Sequence, residues 1–436
     1  MKDVIFVTFG LYLNDMRDAV VLKRYQNKFM HKKRSIAEHM CSTAMISQWL
    51  VIIEKELFNN DNVDMAEVLQ RAINYNTTQI FTGNIVASAI NLTPAMKDAM
   101  KAMKKLAYED YIEPKIPKEY VNDFRRFTVD AKDDSIEGKI VLAADWIDTI
   151  LECVEEIKLN NKVPFEDILI KSAKGVSEIN LPSVRYMLKY IIPKFGIDID
   201  SYGKEFRKYI HSVHFECEDD LKFKSFDVIG DYVYQYRALM SLLRYQNKFM
   251  FKRTSVVEHM WFVAKISQVL SLWMNDKYNT SVDIGKVICI ALGHDMSEFV
   301  TGDILSTTKR MTTLMKKAVD EMEKVAFDEY IKPIIPESVL EDYEAYILHP
   351  KEGGVEGKIL AAADIIDTIY ECAEEIKLGN VELFVPILQK VTNTLLDIEL
   401  EAVDYFLINS LKDIGLDIKE FYGDRVYEHI EKIKNK

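Results

Sequence analysis

The chain has 436 residues, 48% of them hydrophobic and 29% charged, with a net charge of −13. That length allows two or three domains, each able to bury a core, and the acidic balance excludes a general binder of nucleic-acid polymers or of membrane surfaces. The five cysteines are scattered without a C-x-x-C pair, which excludes a disulfide framework or zinc ribbon and leads to the expectation of a reducing, cytoplasmic setting. No run reaches the ~18 apolar residues needed to cross a bilayer, and the N-terminal MKDVIFVTFGLYLND lacks the basic start and cleavage site of a signal peptide.

Taken in order, the chain is written twice. Gly10 and Tyr12 are answered by Gly230 and Tyr232, and RYQNKFM at Arg24–Met30 recurs unchanged at Arg244–Met250. RSIAEHM (Arg34–Met40) answers TSVVEHM (Thr254–Met260), and FTGN (Phe81–Asn84) answers VTGD (Val300–Asp303). EGKIVLAADWIDTILECVEEIKL (Glu137–Leu159) answers EGKILAAADIIDTIYECAEEIKL (Glu356–Leu378). The offset is 220 residues early and 219 later, so this is a tandem duplication of a roughly 210-residue unit. The expected division is a first unit over 1–211, a join over 212–222 and a second unit over 223–436. The join is polar and acidic, without the Gly/Ser or Pro content of a long tether, so the units are expected to pack together.

Each unit reads as all-α. Glycine and proline are rare, and β-branched alternation is nearly absent. Ser35-x-x-Glu38 and Ser255-x-x-Glu258 are capping boxes that start long helices. In the second copy His259, Val263, Ile266 and Leu270 share one helical stripe, so His259 points inward. The next helix, IGKVICIALGHDMSE, aligns Val287, Ile290, Ala291 and His294, which places His294 inward too and Glu298 one turn on. Asp364 sits inside the apolar run of KILAAADIIDTIYECAEEI. A lone inward histidine is an ordinary core residue. Two of them, with adjacent Asp295 and a carboxylate in an Ala/Ile run, are not, because a buried carboxylate costs several kcal/mol unless paired or bound to a cation. The set His259, His294, Asp295 and Asp364 offers nitrogen and oxygen without thiolate, which suits one divalent ion of the Mn, Co, Fe, Ni or Zn group.

The order H…HD…D, with RY before the first helix, GHDMSEFVTGD, AAADIIDTIYECAEEIKLGN and EAVDYF, resembles the HD-domain phosphohydrolases, and within them the YfbR-like 5′-deoxynucleotidases. The resemblance covers nearly all of the second unit and, in degraded form, the first. It implies two tandem HD-type units packed as an intramolecular pseudo-dimer, with further oligomerisation open, and a metal-dependent hydrolase of (deoxy)nucleoside 5′-monophosphates. It also implies roles. His259, His294, Asp295 and Asp364 hold the metal. Glu298 handles the proton of the attacking water or of the leaving 5′-oxygen. Asp303 orients Arg244 or the nucleotide, or caps the next segment. Arg244 binds phosphate, Lys309 adds a second positive charge, and Tyr245 stands where the family usually has a tryptophan near the sugar. In the first unit Arg24, Tyr25, His39 and Asp145 are kept, but His294 is answered by Tyr75, Asp295 by Asn76, Glu298 by Gln79 and Asp303 by Asn84. Removing those carboxylates predicts a first copy without the metal site. Two other functions stay open: a dNTP triphosphohydrolase or second-messenger hydrolase, and a nucleotide-sequestering protein without useful turnover.

Overall fold

Ser35 and Ser255 each end an extended segment and start a long helix. In both, the serine hydroxyl accepts from the backbone N–H three residues on, and the glutamate there accepts from the serine N–H. The computed structural model describes residues 9–85, 93–196, 220–304, 306–309 and 311–434. The principal helices of the first copy are α1 (Gly10–Met16), α2 (Ile36–Phe58), α3 (Met65–Ala72), α4 (Ile136–Lys158) and α5 (Lys162–Ser177). The second copy repeats them as α6 (Ile229–Ala238), α7 (Val256–Tyr278), α8 (Ile284–Gly293), α9 (Val355–Lys377) and α10 (Val381–Leu396). The two capped helices stop alike, at Asn59 and Asn279, each with φ of 53°. Asparagine tolerates this left-handed conformation better than most residues, and it breaks the helical hydrogen-bond run. The fold is all-α, and among the described residues the only β-type pairings are the isolated bridges Lys23–Ser35 and Leu243–Ser255.

The expected join falls mostly outside the described residues. Where the chain is described again, Asp220 caps a short helix, Leu221–Ser225, whose Phe223 packs on Phe58, Tyr186 and Tyr190.

The long helices α2 and α7 pack on each other at the centre, α2 flanked by α3 and α4 and α7 by α8 and α9. Contrary to the sequence expectation, α2 is long and apolar enough to cross a membrane, but 94% of its apolar window is buried inside the protein. It is apolar all round because protein surrounds it on every side. The contacts between the halves are reciprocal. Arg17 of the first half meets Asp367 and Glu374 of the second, and Arg237 of the second meets Asp148 and Glu155 of the first. These are corresponding positions, so the halves face each other through the same patch, as in an isologous dimer. Aromatic packing fills the seam: Trp49, fully buried, stacks on Tyr343 with centroids 4.8 Å apart and meets Tyr232 edge-on. Each such ring removes roughly 150–250 Å² from water, which makes the seam part of the core.

Candidate metal centre

His259 enters the site from the first turn of α7, where the capping box fixes the backbone. It is almost completely buried. Its Nδ1 donates to Asp367 of α9 at 2.5 Å, which leaves Nε2 as the free lone pair. Burial works against the charged ring, yet Asp364 and Asp367 on its two sides lift its pKa to about 10. The ring thus lies in a field that draws positive charge.

His294 arrives differently from the sequence reading. That reading runs one helix through Glu298, but α8 ends at Gly293 and a short helix restarts at Glu298–Thr301. Between them the backbone turns through i→i+3 bonds, Met296 N–H to Gly293 O at 2.9 Å and Glu298 N–H to Asp295 O at 3.0 Å. Adjacent residues on a regular α-helix point about 100° apart; here the side chains of His294 and Asp295 nevertheless converge, with His294 Nε2 3.4 Å from Asp295 Oδ2. His294 donates from Nδ1 to Ala291 O at 2.9 Å. Its Nε2 is buried and has no hydrogen-bond partner.

Four donors converge. His259 Nε2 lies 3.5 Å from Asp295 Oδ2 and 3.3 Å from Asp364 Oδ1, and His294 Nε2 lies 3.4 Å from the same Asp295 oxygen. Donors each ~2.1 Å from a common ion stand about 3.0–3.4 Å apart. The spacing, the nitrogen/oxygen chemistry and the orphaned His294 Nε2 all fit a divalent cation. His259, His294 and Asp295 form a group whose ligand atoms lie within 4.8 Å of one another.

The other expected residues surround this point. The Glu298 carboxyl is mostly buried and makes no hydrogen bond among the described residues; burial, then the charges of Asp295 and Asp303, push it well above the usual range. Asp303 accepts the backbone N–H of Tyr245 at 3.0 Å, holding that residue at a φ of 54°. It therefore anchors the Arg244–Tyr245 turn through the backbone. Arg244 itself is turned inward: its Nη1 donates to Glu371 at 2.7 Å and to Asp367 at 2.9 Å, and stands 2.8 Å from His259 Nδ1. The sequence reading gave this guanidinium to phosphate; here its Nη1 is paired with the buried acids behind His259, whose charge it balances. Lys309 pairs with Glu323 at 2.7 Å, so its charge is already balanced.

Sequence reasoning missed Asp367, Glu371, Lys351 and Arg17. Lys351 forms an ion pair with Asp364. Asp367, Glu371 and Lys351 were findable, since Asp148, Glu152 and Lys132 repeat them and two are acids in an apolar helix.

In the first copy Tyr75 occupies the centre. Its hydroxyl bonds His39 Nε2 at 2.7 Å, Thr43 at 3.0 Å and Asp145 at 3.1 Å. Lys132 lies 2.7 Å from Asp145, as Lys351 pairs with Asp364 in the second copy, and 4.0 Å above the Tyr75 ring. Gln79 Nε2 donates to Asn76 Oδ1 at 3.0 Å, while Gln79 Oε1 is buried without a partner. Asn84 is half-buried at the rim. Arg24 is tied to Glu152 and Thr149, and the Tyr25 ring packs edge-on against Phe165. A second group of possible ligands, His39, Asp148 and Glu152, lies there. Arg24 and Arg237 already ion-pair with its acids, and His39 has both ring nitrogens bonded.

A family model described as 5′-deoxynucleotidase YfbR-like matches residues 8–195 and 231–414. Over 166 residues the chain is 28% identical to 5′-deoxynucleotidase VV1113 of Vibrio vulnificus, covering 38% of this chain and 84% of that one. It is 27% identical over 192 residues to 5′-deoxynucleotidase plu3092 of Photorhabdus laumondii, covering 42% and 96%. A solved HD-domain phosphohydrolase, lin2634 from Listeria innocua, is similar at 29% identity and a TM-score of 0.41, over 48% of this chain and 98% of that one.

Proposed function

The chain belongs to the YfbR-like 5′-deoxynucleotidase family, and from that premise we propose that its second unit hydrolyses the 5′-phosphate of (deoxy)nucleoside monophosphates. The observation that carries this reading is the convergence of His259, His294, Asp295 and Asp364 around the unpartnered His294 Nε2. These four residues would hold one divalent ion of the Mn, Co, Fe, Ni or Zn group. Bound there, such an ion supplies Lewis-acid charge to phosphoryl oxygen and lowers the pKa of a water.

The chain's own groups do the rest. Asp367 and Ala291 O fix the tautomers of the two histidines, so both present Nε2 to the same point. The Glu298 carboxyl, close to Asp295 and without a hydrogen-bond partner among the described residues, is free to take the proton of the attacking water and return it to the leaving 5′-oxygen. Asp303 holds the Tyr245 turn, which places an aromatic ring beside Arg244 at the sugar end of the site. Lys309 stands at the mouth and can exchange Glu323 for phosphate.

The first unit, residues 1–211 by this division, is read as a copy without the ion. The Tyr75 hydroxyl bridges His39 and Asp145, the two ligands it retains. A triphosphate site would need cations beyond Lys309, and among the described residues Arg244 and Lys351 are already paired with buried or half-buried acids. The experiment is phosphate release from dNMPs, NMPs and dNTPs with Mn²⁺ or Co²⁺, then with chelator. Inorganic phosphate from the monophosphates, lost on chelation, is expected. Release from triphosphates alone, or turnover indifferent to chelator, would refute the reading.

A further inference from the structure

Arg17 lies just past the end of α1, in the first unit, and its guanidinium enters the second. Its Nη1 donates to Asp367 Oδ1 at 2.6 Å and its Nη2 to Glu374 at 3.0 Å. The plane rests over the Phe262 ring, 4.9 Å from the centroid. Both ends of the Arg17–Asp367 pair are closed to water, at 3% and 0% exposure. The other oxygen of Asp367 is the one that accepts the His259 Nδ1 proton, together with Arg244.

We propose that Arg17 of the first unit is a positioning residue for the metal site of the second, holding the Asp367 carboxylate so that His259 keeps its Nε2 for the ion. This rests on the ion binding at His259, His294, Asp295 and Asp364. The comparison with the first copy shows why the arginine matters there. Arg237 reaches back to Asp148 in the same way, but Asp148 Oδ1 also accepts from Ser42 at 2.6 Å. In the second unit Phe262 stands in the place of Ser42. Arg17 is therefore the only hydrogen-bond donor to Asp367 Oδ1 among the described residues. Without it a fully buried carboxylate oxygen loses its partner beside Glu371 and Glu374, and only Arg244 remains to balance Asp367 and Glu371. The carboxylate is then no longer held from both sides, and the hold it gives the His259 ring is lost with it. The first unit is thus part of the site that it does not itself contain.

The test uses the full chain stripped of metal and titrated with Co²⁺, read by calorimetry and by the visible absorption of the bound ion. Arg17→Ala is expected to weaken Co²⁺ binding by about tenfold or more, the usual cost of losing a residue behind a ligand, and to shift the absorption bands. Arg237→Ala removes the mirror-image pair from the same seam and is expected to leave both unchanged. Equal affinity and spectrum in Arg17→Ala and the wild type would overturn the proposal, as would an equal loss in Arg237→Ala. Should Arg17→Ala fail to fold by circular dichroism, the comparison passes to Arg17→Lys and Arg237→Lys. Lysine keeps the charge but is shorter and lacks the planar fork that spans Asp367 and Glu374, so only Arg17→Lys is expected to weaken Co²⁺ several-fold; no difference between the two would overturn the proposal. A wild type that takes up no Co²⁺ removes the metal reading and this one with it. A wild type and Arg17 variants that bind alike remove this one alone.

Discussion

His294 shows why two residues carry the site. Its Nε2 is buried without a partner, a condition that ordinarily costs about 1–3 kcal/mol. A protein keeps such an atom when a ligand satisfies it. His294→Ala is therefore expected to lower the metal content of the purified chain from one ion to none, and turnover with it. Elemental analysis checks the first and phosphate release the second; an undiminished metal content would show that the ion sits elsewhere. A wild-type value of two ions per chain would instead revive the first copy, against the hydroxyl of Tyr75 that bridges His39 and Asp145. Glu298 makes the opposite prediction. Its carboxyl stands near Asp295 with no hydrogen bond among the described residues, so Glu298→Gln is expected to keep the ion and lose roughly 10²-fold in kcat, the usual worth of a positioned proton carrier. Loss of the ion in that variant would make Glu298 a ligand.

The capped starts of α2 and α7 meet at the seam, and there the protein places acids face to face. Glu38 reaches across to the Ser255 hydroxyl at 3.0 Å. Burial, then the nearby charge of Glu258, push Glu38 up to about 7 from its ordinary 4.5. Between those values the folded chain holds a proton that the unfolded chain has released. The contribution is thus present in acid and is lost as pH rises through about 7. Glu38→Gln is neutral at every pH and keeps an oxygen for the Ser35 N–H. Its stability relative to the wild type is expected to rise between pH 5 and pH 8, followed by thermal unfolding; a difference that does not change with pH would show that Glu38 titrates normally. At this scale the sequence was largely readable. Capping boxes and inward stripes follow from local spacing, so the long helices, His259 and Asp364 are where periodicity puts them. The end of α8 was not readable, because Gly293-His294-Asp295 continues a helical pattern while its backbone turns through i→i+3 bonds. Arg17 was hidden for a different reason. Its partner is 350 residues away, in the other copy, and each copy read alone shows only an arginine near the end of a helix.

The duplication has made the two halves unequal in a way that decides whether either can stand alone. Lys265 of α7 is completely buried at the seam and bonds Tyr12 and Asn74 of the first half, with its amine 4.8 Å from the Tyr12 ring centroid. Burial drives it well below the usual lysine range, toward the neutral amine. The corresponding residue in the first half is Met45, and the position corresponding to Asn74 is Gly293. If two second halves paired through this patch, each Lys265 would meet Tyr232 and Gly293, without an amide to accept its proton. A buried amine without that acceptor costs about 1–3 kcal/mol, and the symmetric pair would contain two. The seam also buries Trp49 and Trp261, which the isolated halves would expose. Residues 223–436 made alone are therefore expected to aggregate or to associate loosely, and to become a soluble complex when residues 1–211 are supplied in the same cell. In the isolated half, Lys265→Met copies the residue that the first half uses at this position. It is expected to give a discrete dimer, in which Arg237 of each copy reaches Asp367 of the other as Arg17 does now. Size-exclusion chromatography with light scattering distinguishes these outcomes. A soluble, active monomer of the wild-type second half would show that the first half is dispensable for both packing and site. A tight wild-type dimer would show that Lys265 does not specify the pairing.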